Sequence, residues 1–88
     1  MTYRIVFTTG ALRDLYALPE KVAWAVLAFC EGPLAADPTR VGKPLQRELR
    51  GLHSARRGEY RIIYRIDGAT VTVDVIRIRH RGAAYARE

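Results

Sequence analysis

A second cysteine is missing from this sequence. With Cys30 alone, no internal disulfide can form and no thiolate set for zinc exists. Histidine occurs twice, so the chain offers no His-rich metal set, and no metal or cofactor is expected. No apolar run approaches the roughly 18 residues that a membrane-spanning helix requires. No basic segment followed by an apolar one opens the chain as a secretory signal does, so a cytoplasmic protein is expected. Repeats and low-complexity tracts are also lacking. Lysine is scarce: of 15 basic residues, 13 are arginine.

Hydrophobic residues make up 49% of the chain, which supports a packed core rather than disorder. Its 88 residues are expected to form one domain, 1–88. A domain of this size buries only roughly 60–65% of its unfolded surface, so its stability is modest and gains from a partner. The net charge of +6 is unevenly spread. Residues 1–39 carry a net −1 and residues 40–88 a net +7. A basic half dominated by arginine suits a polyanion or an acidic protein, because the guanidinium stays charged and binds phosphate or carboxylate bidentately.

Thr2–Phe7 (TYRIVF) is rich in aromatic and β-branched residues and reads as a strand. Thr8 or Thr9 offers an N-cap. Leu12, Leu15 and Tyr16 then recur at i, i+3, i+4, the spacing of a short amphipathic helix. A second helix is predicted over Glu20–Glu31, with Val22, Val26, Phe29 and Cys30 on one face and Gly32-Pro33 as its stop. Cys30 is therefore expected to be buried, and Trp24 to pack or to meet a partner. LAADPTRVGKPLQRELRG reads as irregular, with a helical turn near Gln46–Leu49. From Leu52 the period changes to two: LHSARR, a Gly58-Glu59 turn, YRIIYRI, a two-residue Asp67-Gly68 hairpin and TVTVDVIRIR. The expected fold is α+β in the order β-α-α-β-β-β, with two early helices packed on a small twisted antiparallel sheet that the first strand joins.

In the last strand the apolar positions change parity. Val71, Val73 and Val75 are followed by Ile76 and Ile78, so a β-bulge or twist is predicted near Asp74–Ile76, unless that span is buried on both sides. Either arrangement lets arginines of two neighbouring strands reach one surface. Arg61 has a second reading, as a partner of Asp74 across the sheet.

The segment VGKPLQRELRGLHSARRGEYRIIYRIDG and the ending HRGAAY resemble the RelE/ParE superfamily of bacterial toxins, the RelE branch in particular. The resemblance spans nearly the whole chain. It is carried by R-x-G-[DE]-Y-R-x-x-Y, here Arg56 to Tyr64, and by H-R-x-x-x-Y, here His80 to Tyr85. It implies a RelE-like fold and a toxin that enters the ribosomal A site and cleaves mRNA there. The 2′-hydroxyl attacks the adjacent phosphate and leaves a 2′,3′-cyclic phosphate. A cognate, acidic antitoxin would wrap and silence the toxin. Such cleavage needs a proton removed from the 2′-OH, stabilisation of a dianionic phosphorane-like state and a proton for the leaving oxygen. By resemblance, Arg61 and Arg81 meet the phosphate, and Tyr85 stacks on a base or transfers a proton. His80, with an ordinary pKa near neutrality, is a proton carrier, a substrate or antitoxin contact, or a structural residue. His53 reads as structural. Lys43, Arg47, Arg56, Arg57, Arg77 and Arg79 complete the expected RNA-binding surface. Some relatives carry two lysines where this chain has Leu52 and Ser54, which leaves the general base open. Two other functions share this fold: a non-catalytic RNA- or antitoxin-binding relative, and a ParE-type poison of DNA gyrase.

Overall fold

The computed structural model describes residues 2–80. Five strands form one sheet in the order β1-β5-β4-β3-β2. They are β1 (Arg4–Phe7), β2 (Gly42–Pro44), β3 (His53–Arg57), β4 (Tyr60–Asp67) and β5 (Thr72–His80). The first strand does join the sheet, running parallel to β5, with Ile5 beside Val73 and Phe7 beside Val75. All other pairings are antiparallel. Helices α1 (Thr9–Tyr16), α2 (Glu20–Phe29) and α3 (Pro38–Val41) lie between β1 and β2 in sequence.

Thr8 caps α1, its hydroxyl accepting from the Ala11 amide at 3.1 Å. Gly32-Pro33 does not stop the second helical run as the sequence suggested. The chain widens into a π-helical turn over Cys30–Leu34 instead. Proline has no amide to donate to the carbonyl four residues back, and a widened turn absorbs that loss without ending the helix. The turn is retained because it carries Cys30 and Leu34, both fully buried, into the core. The stretch expected to be irregular holds two further elements, α3 and β2. Pro38 at the first turn and an Asp37 cap, whose carboxylate accepts from the Arg40 amide at 3.3 Å, start α3. A 3-10 turn at Arg47–Leu49 falls where a helical turn was expected. The Asp67-Gly68 hairpin is longer than the two residues predicted: the loop runs over residues 68–71, with the Asp67 carboxylate accepting from the amides of Ala69 and Thr70.

The core lies on one face of the sheet. Ala55, Ile62 and Ile78 stand abreast in register there, as do Tyr64 and Val75, and Leu15, Val26, Cys30 and Leu34 pack over them from the helical side. Tyr16 and Trp24 are 82% and 64% exposed, so Trp24 does not pack inside the chain. No helix among the described residues is long and apolar enough to cross a membrane.

Tyr64 ties the sheet to the segment before β2. Its ring is fully buried, and its hydroxyl donates to the Pro38 carbonyl at 2.6 Å. Gly42 is required beside it, since a Cβ there would collide with the Tyr64 hydroxyl and approach the Ser54 carbonyl at 2.8 Å. Burial pushes the Tyr64 hydroxyl up to about 12, and burial together with the charge of Glu31 pushes the Cys30 thiol up to about 12. Both groups stay neutral in the folded chain while their unfolded counterparts ionise near 10.0 and 9.0, so stability should fall as pH rises from about 9 towards 12. Tyr64→Phe should lower unfolding free energy by about 1–3 kcal/mol at neutral pH, because the buried Pro38 carbonyl loses its donor. It should also weaken the alkaline decline. Urea unfolding at pH 7 and melting between pH 8 and 11 measure both effects.

Candidate nucleic-acid interface

Strand β5 contains one residue more than its partner. Arg77 stands opposite Ile63, but Val75 stands opposite Tyr64, so Ile76 is the extra residue of a β-bulge. Of the readings open for the parity change near Asp74–Ile76, a bulge, a twist or burial on both sides, the register selects the bulge. Its consequence is directional. Val73 and Val75 face the core, so strict alternation would send Arg77 and Arg79 inward after them. The bulge reverses this, turning Ile78 into the core, where it is 4% exposed, and the two arginines to the opposite face.

On that opposite face, register sets three arginines abreast. Arg56 of β3 pairs with Arg61 of β4, and Arg61 pairs with Arg79 of β5. Side chains directly opposite one another in an antiparallel pair have Cβ atoms about 4.5–5.5 Å apart, so the row concentrates positive charge across three strands. Like charges at this spacing disfavour the folded chain and favour a bound polyanion. One row along the sheet, Lys43 of β2 pairs with Ser54 of β3. Lys43, Ser54, Arg56 and Arg61, together with Val41 and Gly42, line a groove of about 390 Å³.

Two other basic residues of this face are neutralised inside the protein. Arg65 pairs with Asp74, its register partner, at 3.2 Å, so the carboxylate considered for Arg61 belongs to Arg65. Arg77 grips Asp14 of α1 bidentately, Nε to Oδ2 at 2.8 Å and Nη2 to Oδ1 at 3.1 Å. Asp14 escaped sequence reasoning, because nothing local links residue 14 to residue 77. Its Oδ2 also accepts from the Ile78 amide at 2.9 Å, while the Thr8 hydroxyl donates to the Ile76 carbonyl at 2.9 Å. β1 ends at Phe7, opposite Val75, and β5 runs on to His80. Thr8, which caps α1, and Asp14 in its last turn therefore satisfy backbone groups on the stretch of β5 edge that β1 leaves uncovered.

His80 sits one row beyond Arg79 and opposite Tyr60, on the face away from the arginine row. Its ring meets Tyr60 edge-on, with centroids 5.4 Å apart. His53 stacks on Tyr64 at 5.6 Å, a structural position. Arg57, opposite Tyr60, is on the His80 face, and Arg47 lies in the 3-10 turn at positive φ of 59°. Arg81 and Tyr85 lie outside the described residues.

The chain matches the family described as "ParE toxin of type II toxin-antitoxin system, parDE" over residues 5–85, and it belongs to that family. It is similar to the toxin RelG of Mycobacterium tuberculosis, 52% identical over 99% of this chain and 100% of that protein. To the toxin RelE of the same organism it is 51% identical, over 94% of this chain and 86% of that protein. Among solved structures it resembles a chain of the toxin-antitoxin complex RelBE2 of Mycobacterium tuberculosis, with a TM-score of 0.89 and 52% identity over 92% of this chain and 100% of that one. The archaeal RelE-RelB complex of Pyrococcus horikoshii OT3 gives a TM-score of 0.73 at 26% identity, over 96% of this chain and 100% of that one.

Burial works to raise the pKa of Asp14, but the hydrogen bonds from Arg77 and the Ile78 amide, and the charges of Arg77 and Arg79, outweigh it and hold the carboxyl below its ordinary 3.8. A depressed carboxylate contributes stability above its unfolded pKa and loses it as pH falls through the folded value. Asp14→Asn should cost about 1.5 kcal/mol, the low end for charged hydrogen bonds because the Arg77 side chain is 40% exposed. It should also flatten the acid limb of a stability–pH curve below about pH 4. Chemical denaturation across pH 2.5–7 measures both quantities.

Proposed function

We propose that this toxin is a ribosome-dependent mRNA endonuclease, acting in the cytoplasm as one domain over residues 1–88. The observation that carries the reading is the row Arg56–Arg61–Arg79 beside a groove that also holds Lys43. In the proposed reaction the 2′-oxygen of one nucleotide attacks the phosphorus that follows it. The 2′-O–P bond forms, the P–O5′ bond breaks, the 2′-OH gives up its proton and the departing 5′-oxygen gains one. The products are a 2′,3′-cyclic phosphate and a 5′-hydroxyl. No metal is required, because guanidinium groups held on strands can offset the charge that builds on the non-bridging oxygens.

Arg61, at the centre of the row, is assigned to the scissile phosphate together with Arg81. Tyr85 is assigned to base stacking or proton transfer. Lys43, Arg47, Arg56 and Arg79 extend the contact to flanking mRNA, and Arg57, on the His80 face, is assigned to ribosomal RNA reached from the other side of the sheet. Arg77 is given a structural role because its guanidinium is engaged by Asp14. His80 is assigned to ring packing on Tyr60 rather than to proton transfer, since its register turns it from the arginine row. Two residues of the sequence-based set thereby leave the proposed catalytic and RNA-facing groups.

A cognate antitoxin completes the reading. Solved structures similar in fold include toxin-antitoxin complexes, and the +7 charge of residues 40–88 suits an acidic segment lying over the same face. The family description names the parDE systems, which favours gyrase poisoning as the second reading.

Arg61→Ala should reduce single-turnover cleavage of A-site mRNA on programmed ribosomes by about 10²–10³, with an unchanged circular dichroism spectrum. Cleavage within a few-fold of the parent would remove Arg61 from the site, and gyrase-dependent DNA breaks without mRNA cleavage would select the second reading. Co-expression with the product of the adjacent gene should yield a stable complex that protects the arginine row from hydrogen exchange. Failure to co-purify would count against the antitoxin.

A further inference from the structure

We propose that Lys43 and Ser54 form a second anion subsite, which takes the phosphodiester next to the one held by the arginine row. The inference rests on the RNA-cleaving reading and adds to it a register for the bound strand. Lys43 and Ser54 are direct partners across β2 and β3, and Ser54 is two residues before Arg56 on the same strand. Alternation puts Lys43, Ser54, Arg56 and Arg61 on one face, and all four line the same groove. The two rows are about 6.8 Å apart along the strands, at a rise of about 3.4 Å per residue. That offset is comparable to the step between consecutive phosphates of an extended strand.

Ser54 is the second, independent indication. It is only 8% exposed, and its hydroxyl is out of contact with solvent and has no hydrogen-bond partner among the described residues. Buried hydroxyls as a rule have one. A hydroxyl left unmatched on the floor of a basic groove is complementary to a ligand that brings acceptor oxygens. A phosphodiester brings only acceptors and a permanent charge, and Lys43 supplies the charge and further donors. Access requires the long side chains that line the groove to swing aside, which flexible Lys and Arg chains do readily.

The test uses two uncleavable probes with hydroxyl termini: a 2′-O-methyl dinucleotide with one phosphodiester and a 2′-O-methyl trinucleotide with two. Binding is measured by calorimetry or amide chemical shifts at several salt concentrations. The parent should bind the trinucleotide more tightly. Lys43→Met should weaken the trinucleotide by roughly tenfold, reduce the magnitude of its log–log salt slope by about 0.7, the share of one phosphate on a single strand, and leave the dinucleotide within two-fold. Ser54→Ala should weaken the trinucleotide several-fold without altering the slope, and should melt no lower than the parent, because the hydroxyl it removes has no partner to lose. A purely structural serine would give the opposite pattern, lower melting with unchanged binding, and that result overturns the subsite. Equal weakening of both probes overturns it too, since it would mean one shared site. A parent that binds neither probe overturns the subsite, while cleavage on programmed ribosomes decides the RNA-cleaving reading separately.

Discussion

The bulge at Ile76 is the constraint on which the rest of the structure depends. A strand alternates its side chains with period two, so an insertion of one residue exchanges its faces from that point on. β5 needs this exchange. Its first half supplies Val73 and Val75 to the core, while its second half must supply Ile78 to the core and Arg79 to the surface. Without the extra residue, two guanidinium groups would point into the apolar cluster beneath the helices, which among the described residues holds no carboxylate to offset their desolvation. The same residue therefore completes the core and assembles the arginine row.

A second dependence follows from the unequal lengths of β1 and β5. The longer strand leaves an edge with unmatched amides and carbonyls, and α1 closes it with two side chains, Thr8 and Asp14. Asp14 acts in two ways: its carboxylate accepts a backbone hydrogen bond and also holds the Arg77 guanidinium. On the basic face Arg65 and Arg77 each pair with a carboxylate, and Arg56, Arg61 and Arg79 stand side by side in register. The two ion pairs tie β5 to β4 and to α1, and the row is the surface proposed to meet a polyanion. A chain that carries such a row gains stability whenever an anionic ligand or an acidic protein covers it.

The central site also illustrates how a strand neighbour supplies what the local sequence lacks. Leu52 and Ser54 carry no charge, and a reading along β3 alone finds a gap there. Pairing with β2 brings Lys43, eleven positions earlier in the chain, beside Ser54. Gly42 and Pro38 make that pairing feasible: Gly42 leaves room for the Tyr64 hydroxyl, and the Pro38 carbonyl accepts its hydrogen bond.

By itself the sequence determined the element types with strong periodicity: the first strand, the two early helices, the strands after Leu52 and the parity change that the bulge accommodates. These are local consequences of apolar spacing and of turn-forming residues, and they fix which residues face inward. The R-x-G-E-Y-R-x-x-Y pattern pointed to Arg56 and Arg61 because both signals lie within nine residues of one hairpin. Tertiary structure decided the rest. It decided that the helical run passes Gly32-Pro33, because burial of Cys30 and Leu34 outweighs the break that proline introduces locally. It drew a short helix and an edge strand out of a stretch with no periodicity of its own, since three residues become a strand only when a neighbour offers them a ladder. It gave Asp74 to Arg65 and Asp14 to Arg77, and it turned His80 from the arginines it adjoins in sequence. Each of these outcomes depends on strand register and on contacts between residues far apart in the chain, and neither quantity is written in local spacing.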